Sequence, residues 1–423
     1  MVRTTKLRSV AVVAAAGMLL AACSSGGSDT ASSGSSGADA CEFPTLKVGS
    51  LLPQTGDLAF LGPPEFAGVD LAVQEINAAG GVLGSDIVHI VGDSGDTSTN
   101  IASQTVDSHI AAGASVIFGA ASSGVSLTVI DKITSAGLLQ MSPANTSPAL
   151  TTYADDNLYW RVAPSDAMQG LVLAEQAVKD GFTKAAAIAR QDAYGEGLLK
   201  AFSKNFAAAG GTVTSEIVYD PTAASFEAEV AEIKAGAPEV VVVITFDEGV
   251  KLIQEMIKQG VGPQQVKVYL VDGNLSTTAF ADFPAGTMTG VIGTVPSGDA
   301  DLTAFNAKLD AINPNLTDYT YGAQSYDGII LLALAAEAAG CADGRSLADN
   351  LPAVAAGGEK CTTYADCLAI LKSGGDVDFD GTTGPLEFNA AGDPKFATIA
   401  VNQYSSNTEF AEIGRVTGEV PAS

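Results

Sequence analysis

Residues 118–152 read FGAASSGVSLTVIDKITSAGLLQMSPANTSPALTT, and the fold turns on what this stretch can form. Ser115–Gly119 and Leu138–Met141 are short apolar runs of strand type, and each ends in small, hydroxyl-rich residues. The first ending, AASSG, leads directly into apolar spacing of helical period over Val125–Ser135. The second, SPANTSP, is a loop rich in N–H groups and hydroxyls with almost no bulk. Free amides at helix starts and strand ends suit an anion. In an open α/β sheet, ligands lie beyond the carboxyl ends of the strands. Ser123 and Thr146 are therefore expected to hold the carboxylate of a small molecule.

The alternation extends in both directions. Leu46–Pro53 and Ile87–Val91 read as strands, with helices over Pro64–Ala79 and Ile101–Ala112. A second series of strands covers Ala185–Ala189, Thr212–Tyr219, Glu239–Phe246, Val266–Val271 and Val291–Val295. Helices over Gly195–Ala209, Phe226–Ala235 and Glu248–Gln259 separate them. Repeated βα units imply parallel sheets with helices on both faces. Residues 145–165 break the rhythm with two prolines, paired aspartates and the only Trp, Trp160, and read as a crossing between lobes. A second crossing near Pro296 precedes helices at Asp301–Ala311, Gln324–Ala339 and Tyr364–Lys372. The tail is expected to pair Leu386–Phe388 with Phe396–Tyr404 around the turn at 389–393. The predicted fold is α/β, two Rossmann-like lobes with a ligand cleft between them. The first lobe spans 45–163 and 296–381, the second 164–295 and 382–423. About 380 residues also exceed the size at which one core stops growing.

Arg3, Lys6 and Arg8 precede the apolar run Ser9–Ala22, the pattern of a signal peptide over 1–22. The run is shorter than the about 20 residues a spanning helix needs. Leu20-Ala21-Ala22-Cys23 resembles a bacterial lipobox, in which Cys23 would receive lipid; the alternative is a secretory peptide with an incidental cysteine. Ser24–Ala40 is rich in Ser, Gly and Ala, and 23–44 reads as a lipidated tether. The expected location is extracytoplasmic, anchored by lipid to the outer face of the cell membrane. The formal charge is −27, and loss of the leader removes three further positive charges. Such a surface repels nucleic acid, which is bound through Lys and Arg, and it lacks a basic patch for anionic lipid.

Four other cysteines, Cys41, Cys341, Cys361 and Cys367, make an even set in an exported chain and suggest two disulfides with three possible connectivities. A short loop Cys361–Cys367 is favoured, leaving Cys41 to reach Cys341. A zinc site competes, but no His lies near them. His89 and His109 are the only histidines, and neither stands by a nucleophile in sequence; no GxSxG, Walker, GxGxxG or HExxH pattern occurs. The chain reads as a binding protein without catalytic residues, cofactor or metal. Asp376-Val-Asp-Phe-Asp-Gly381 with Glu387 does match a calcium loop. Gly384-Pro385 and the strand-like Leu386–Phe388 stand where such a loop needs a helix.

Phe60, Tyr194, Phe246 and Asp272 all fall at carboxyl ends of predicted strands, where a cleft site belongs. Core packing for the aromatics, and a helix N-cap over Leu275–Phe280 for Asp272, are the structural alternatives. With GAASSGVSLTV, LLQMSPANTSPALT, DAYGEGL, EVVVVITF and FDGTTGPLEFNAAGDPKF in this order, the chain resembles the extracytoplasmic solute-binding proteins of branched-chain amino-acid ABC importers. These have the type I periplasmic-binding-protein fold. The resemblance runs from Leu46 to the C-terminus. It implies that Ser123 and Thr146 bind an amino-acid carboxylate, the Ala144 carbonyl and Asp272 bind its ammonium, and Tyr194 closes from the second lobe. It places Phe60 and Phe246 at the ligand side chain. Asp272 stands where leucine-type members carry Glu, and Phe246 where Tyr is common. The implied partners are an aliphatic amino acid and membrane permease subunits, with the chain a monomer. Amide, urea-like or carboxylate ligands, and a sensor role, are the alternatives.

Overall fold

The computed structural model describes Cys41 and residues 43–422; the leader, Cys23 and the tether up to residue 40 lie outside the described residues. The first half runs β1 (Lys47–Leu51), α1 (Gly62–Ala78), β2 (Val88–Ile90), α2 (Ile101–Ala111), β3 (Val116–Gly119), α3 (Ser123–Ser135), β4 (Leu139–Ser142), the single turn α4 (Pro148–Thr151) and β5 (Tyr159–Arg161). Every pairing is parallel, in the order β2-β1-β3-β4-β5. Next come α5 (Asp166–Lys179), β6 (Lys184–Arg190), α6 (Ala193–Ala208), β7 (Thr212–Tyr219), α7 (Glu227–Gly236), β8 (Val240–Ile244), α8 (Gly249–Gln259), β9 (Lys267–Leu270) and β10 (Ile292–Ser297). Their order, β7-β6-β8-β9-β10, repeats the first winding, again in parallel. Both sheets therefore reverse direction at equivalent places, between β1 and β3 and between β6 and β8, where a doubly wound sheet opens a crevice at its strand ends.

The chain then adds α9 (Thr303–Ile312), α10 (Gly322–Ala339), α11 (Gly344–Val354), β11 (Glu359–Cys361), α12 (Tyr364–Lys372), β12 (Val377–Gly381), β13 (Gly384–Pro385), β14 (Phe396–Tyr404) and β15 (Phe410–Glu419). α10 is apolar on every side and buried from Gly322 to Ala336, as an inner helix must be. It shares one core with the first sheet, α1, α11 and α12. In the second sheet, Val240, Val242 and Ile244 enter one core while Val241 and Val243 enter another, the alternation of a strand buried on both faces. Cys41–Cys341 and Cys361–Cys367 are both disulfides, the first closing 300 residues of sequence onto the end of α10.

Two expectations change, and the structure also accounts for the calcium-like stretch. The turn at 389–393 does bring the segments together, Phe388 bridging Pro394 and the Glu387 carbonyl accepting from the Lys395 amide, but the pairing stops there and does not extend along Phe396–Tyr404. β14 pairs with β10 and β15 instead, and Leu386 and Phe388 enter the first core, where Phe388 packs edge-on against Trp160 at 5.1 Å. An open edge of the second sheet offers β14 a full ladder, which a three-residue partner cannot match. α5, read as part of a crossing and the stretch after it, is a helix whose N-cap Ser165 accepts from the Ala167 amide. The calcium-like stretch is also occupied differently. Residues 377–381 are strand β12, and Lys360 Nζ sits 3.2 Å from Asp378 and 2.8 Å from Asp380 while Lys395 pairs with Glu387. The chain's own ammonium groups thus take the place of a cation. Millimolar calcium is expected to leave the melting temperature unchanged in a chelator-treated sample, and a rise of several degrees would restore the calcium reading.

Candidate functional site

The carboxyl ends of the two sheets meet around one tight cavity of about 10 Å³, lined by Ser123, Ala144, Thr146, Tyr194, Phe246 and Asp272 together with Leu58, Leu61, Ala121, Gly273 and Tyr321. Five of the six stand out by position in sequence, and Ala144 by the family resemblance. β3 ends at Gly119, whose φ is +129° and where a Cβ would lie 2.0 Å from the Leu51 carbonyl, so only glycine lets the chain turn so tightly against β1. The turn delivers Ser122, which caps α3 by accepting from Val125 N at 3.3 Å, and so sets Ser123 in the first turn of the helix. Ser123 Oγ accepts from the amides of Thr146 and Ser147 at 3.3 and 3.2 Å, which leaves its own hydroxyl hydrogen free to donate.

The loop carrying Ala144 and Thr146 is held from beneath. Asn145 Nδ2 donates to the carbonyls of Ala120 and Ala121, and Ser142 Oγ donates to Ala120 O. Arg161, fully buried in β5, donates from Nη1 to the carbonyls of Asn145 (3.3 Å) and Ser147 (2.9 Å), on either side of Thr146. Its charge is matched by Asp393 at 2.6 Å, and Thr151 bridges the pair. A buried cation thus fixes two loop carbonyls, and Thr146 Oγ1 is left buried without a partner among the described residues.

Opposite stands Asp272, just past β9. Its Oδ1 accepts from Tyr194 Oη at 2.8 Å and Gln169 Nε2 at 2.9 Å, and its Oδ2 from Tyr321 Oη at 2.7 Å. No helix follows at 275–280, so Asp272 is not a helix cap. Asp166, the first residue of α5, is buried beside it, and neither of its oxygens closes a hydrogen bond among the described residues. Burial pushes the Asp166 carboxyl well above the usual carboxylate range, the Asp272 charge pushes it further, and the Thr146 hydroxyl and the Arg161 charge oppose the rise. Burial also raises Asp272, against the three donors that favour its ionised form. Among the described residues no Lys, Arg or His lies within ion-pair distance of either acid. The site is therefore an anion-accepting corner of hydroxyls and amides facing the Asp272 carboxyl, with Asp166 buried outside the lining and within reach of the Arg161 charge.

Asp166, Gln169 and Tyr321 escaped the sequence reading. Asp166 lay in an unrecognised helix, although Ser165-Asp166 is an N-cap pair that could have revealed it. Tyr321, at φ +61°, sits where no periodicity points. Phe60 does not line this cavity: the same loop supplies Leu58 and Leu61, and Phe60 lines a neighbouring chamber with Phe246. His89 does find a hydroxyl in space. Its Nε2 lies 2.9 Å from Ser50 Oγ and its Nδ1 3.0 Å from Asp70. Ser50 is 0% exposed within β1, so this Ser-His-Asp array has no route for a substrate.

A sequence model of periplasmic binding proteins matches residues 45–388. Leu/Ile/Val-binding protein homolog 1 of Brucella abortus is 28% identical over 86% of this chain and 91% of its own length. Shorter matches join homolog 3 of Brucella melitensis (29% identical, 51% of this chain) and the Leu/Ile/Val-binding protein BraC3 of Rhizobium johnstonii (30%, 46%). In these two the match spans a little over half of the relative's length, 58% and 53%. Among solved structures, the fold is shared with a leucine-binding protein, LivK, of Thermotoga maritima (TM-score 0.74, 18% identical, 88% of this chain and 99% of that one). It is also shared with a Rhodopseudomonas palustris solute-binding protein in complex with benzoate (0.69, 21%, 90% and 99%). LivJ of Streptococcus pneumoniae, in complex with isoleucine, is a third (0.72, 21%, 89% and 99%). The chain belongs to the periplasmic binding protein family, whose members are extracytoplasmic solute-binding proteins and not enzymes.

Proposed function

We propose that this chain is the substrate-binding component of an ABC importer and captures an aliphatic, branched-chain type of α-amino acid by closing two lobes on it. The observation that carries the reading is the buried Asp272, which lines the cavity opposite Ser123 with no cation within ion-pair distance among the described residues, and has Asp166 buried next to it. The ligand carboxylate takes the Ser123 hydroxyl and the free amides at the start of α3. The ligand ammonium takes the Ala144 carbonyl and the Asp272 carboxylate, and Thr146 belongs with Ser123 at the ligand carboxylate. A zwitterion brings the cation Asp272 lacks, and each hydrogen bond to a charged group contributes about 1.5–3 kcal/mol. The first lobe (45–163 and 296–381) supplies Ser123, Ala144 and Thr146, and the second (164–295 and 382–423) supplies Tyr194, Phe246 and Asp272. A ligand bonded to both favours the closed form, which the permease then recognises. Cys23 carries the lipid that holds the monomeric chain at the membrane.

The benzoate complex among the structural neighbours favours a second reading, an aromatic carboxylate. Such a ligand would bring a further negative charge to the buried Asp272, with nothing to neutralise it. A thermal-shift panel separates the readings: valine, leucine and isoleucine are expected to raise the melting temperature by several degrees, and benzoate, 4-hydroxybenzoate, acetamide and urea to leave it unchanged. The reverse pattern would reject the amino acid.

The acids also make binding pH-dependent. Their pKa values are raised in the free protein, so at mildly acidic pH the pair retains a proton. A bound ammonium favours both ionised forms and expels that proton. Affinity for leucine is therefore expected to fall as pH is lowered, with proton release on binding. Calorimetry in two buffers of different ionisation enthalpy measures this, and proton uptake would contradict it.

A further inference from the structure

Phe246 lines two chambers. One is the cavity beside Asp272; the other, about 70 Å³, lies on the far side of the Phe246–Gly273 wall and is faced by Phe60, Val250, Ala279 and Phe280. Apart from the exposed Asp247, the polar groups around this outer chamber are spent on the protein itself. Asn274 bonds the Val271 amide and the Val243 carbonyl, and Ser276 Oγ accepts from the Thr278 and Ala279 amides. What the outer chamber offers a ligand is therefore apolar surface beside the single carboxylate of Asp247.

The wall between the chambers is held in place. The Phe246 ring stacks on Tyr194 with centroids 5.2 Å apart and takes the Arg190 guanidinium at 3.6 Å. Arg190 is itself fixed by Asp192 at 2.7 Å and Glu248 at 3.0 Å, and it reaches Asp57 at 3.5 Å. Glu248 accepts in turn from Tyr219 Oη at 2.6 Å and the Phe246 amide at 3.3 Å. Gly273 completes the partition: a Cβ there would lie 2.8 Å from the Phe246 ring and 2.8 Å from the Thr245 carbonyl. A ring stacked on one neighbour and charge-clamped by another cannot swing aside without breaking both contacts.

We propose that Phe246, positioned by Arg190, is a size filter that confines the ligand side chain to the inner chamber and shuts aromatic side chains out of the apolar chamber behind it. This rests on the amino-acid reading above. Discrimination by one or a few methylenes in an apolar pocket is worth about 10–200-fold, which is the scale a rigid wall can impose.

The test measures dissociation constants for L-valine, L-leucine, L-phenylalanine and L-tryptophan by calorimetry on the full chain. The wild type is expected to bind valine and leucine at least about tenfold more tightly than the aromatic pair. Phe246→Ala joins the chambers and should gain about tenfold or more for phenylalanine while losing affinity for valine. Val250→Trp fills the outer chamber: alone it should leave valine binding unchanged, and combined with Phe246→Ala it should cancel the gain. Phe246→Leu provides a second, more conservative opening if the alanine variant melts early. Wild-type binding of phenylalanine as tight as that of valine overturns the filter and leaves the amino-acid reading standing. So does a folded Phe246→Ala or Phe246→Leu protein with no gain. Failure of all four ligands on the wild type removes the amino-acid reading, and the filter with it.

Discussion

Replacing Asp272 by Asn is expected to weaken leucine binding by about 3 kcal/mol, more than a hundredfold in Kd, while leaving the free protein at least as stable as before. The two effects have one cause. Asp272 is buried, and burial favours its neutral form over the charged one. Asn is neutral and nearly isosteric. It can still accept from one tyrosine, while the other hydroxyl turns to accept from its amide. The free protein is thereby relieved of an uncompensated charge, and the ligand ammonium loses its partner on the second lobe. The Ala144 carbonyl remains, so binding is weakened rather than abolished. Calorimetry paired with urea unfolding checks both halves. Unchanged affinity would remove Asp272 from the ammonium site, and a large loss of stability would make it a structural residue. Groups kept under electrostatic strain for binding commonly show this opposition between stability and function.

Asp393→Ala is expected to lower the unfolding free energy by about 3–5 kcal/mol. Asp393 is the counterion of Arg161, whose side chain is 0% exposed, and without it the guanidinium is left buried with only carbonyls and Thr151 around it. The carboxylate comes from the turn after the last crossing and the guanidinium from β5, so the pair joins segments 232 residues apart. Arg161 also holds the carbonyls on both sides of Thr146, so ligand affinity should fall along with stability. Replacing both partners by apolar residues, Arg161→Met with Asp393→Leu, should recover most of the stability but not the affinity. The apolar pair restores packing without restoring the grip on the loop. Urea midpoints for the three proteins test the first point, and leucine titration tests the second. A stable Asp393→Ala protein would mean that the pair is dispensable.

Much of this architecture is legible in the chain because its signals are local. β8 reads VVVVI and is buried on both faces; Tyr364–Lys372 is a helix at the bounds its periodicity predicts. Residues at strand carboxyl ends could be picked out by position alone, and five of them share one cavity with Ala144, which the family resemblance added. The misleading signals share a cause as well. The pairing of Leu386–Phe388 was drawn along all of Phe396–Tyr404 because nothing local announces that β14 completes a distant sheet beside β10. Asp378 and Asp380 resembled a calcium loop because Lys360, the cation that neutralises them, comes from another strand. Phe60 and Leu58 are two residues apart in one loop, and only packing decides which of them reaches the cavity.

The sequence by itself determined the two doubly wound halves, the hydroxyl-rich loops after β3 and β4, and the acid after β9, since period, turn chemistry and strand-end position are properties of neighbours along the chain. Only the tertiary structure decided that Asp166 joins Asp272, that Tyr194, Tyr321 and Gln169 hold that acid in place, and that Arg190 clamps the Phe246 wall. Those relations connect residues tens to hundreds of positions apart. Desolvation and charge pairing act through space, and no local pattern records which distant side chains will meet.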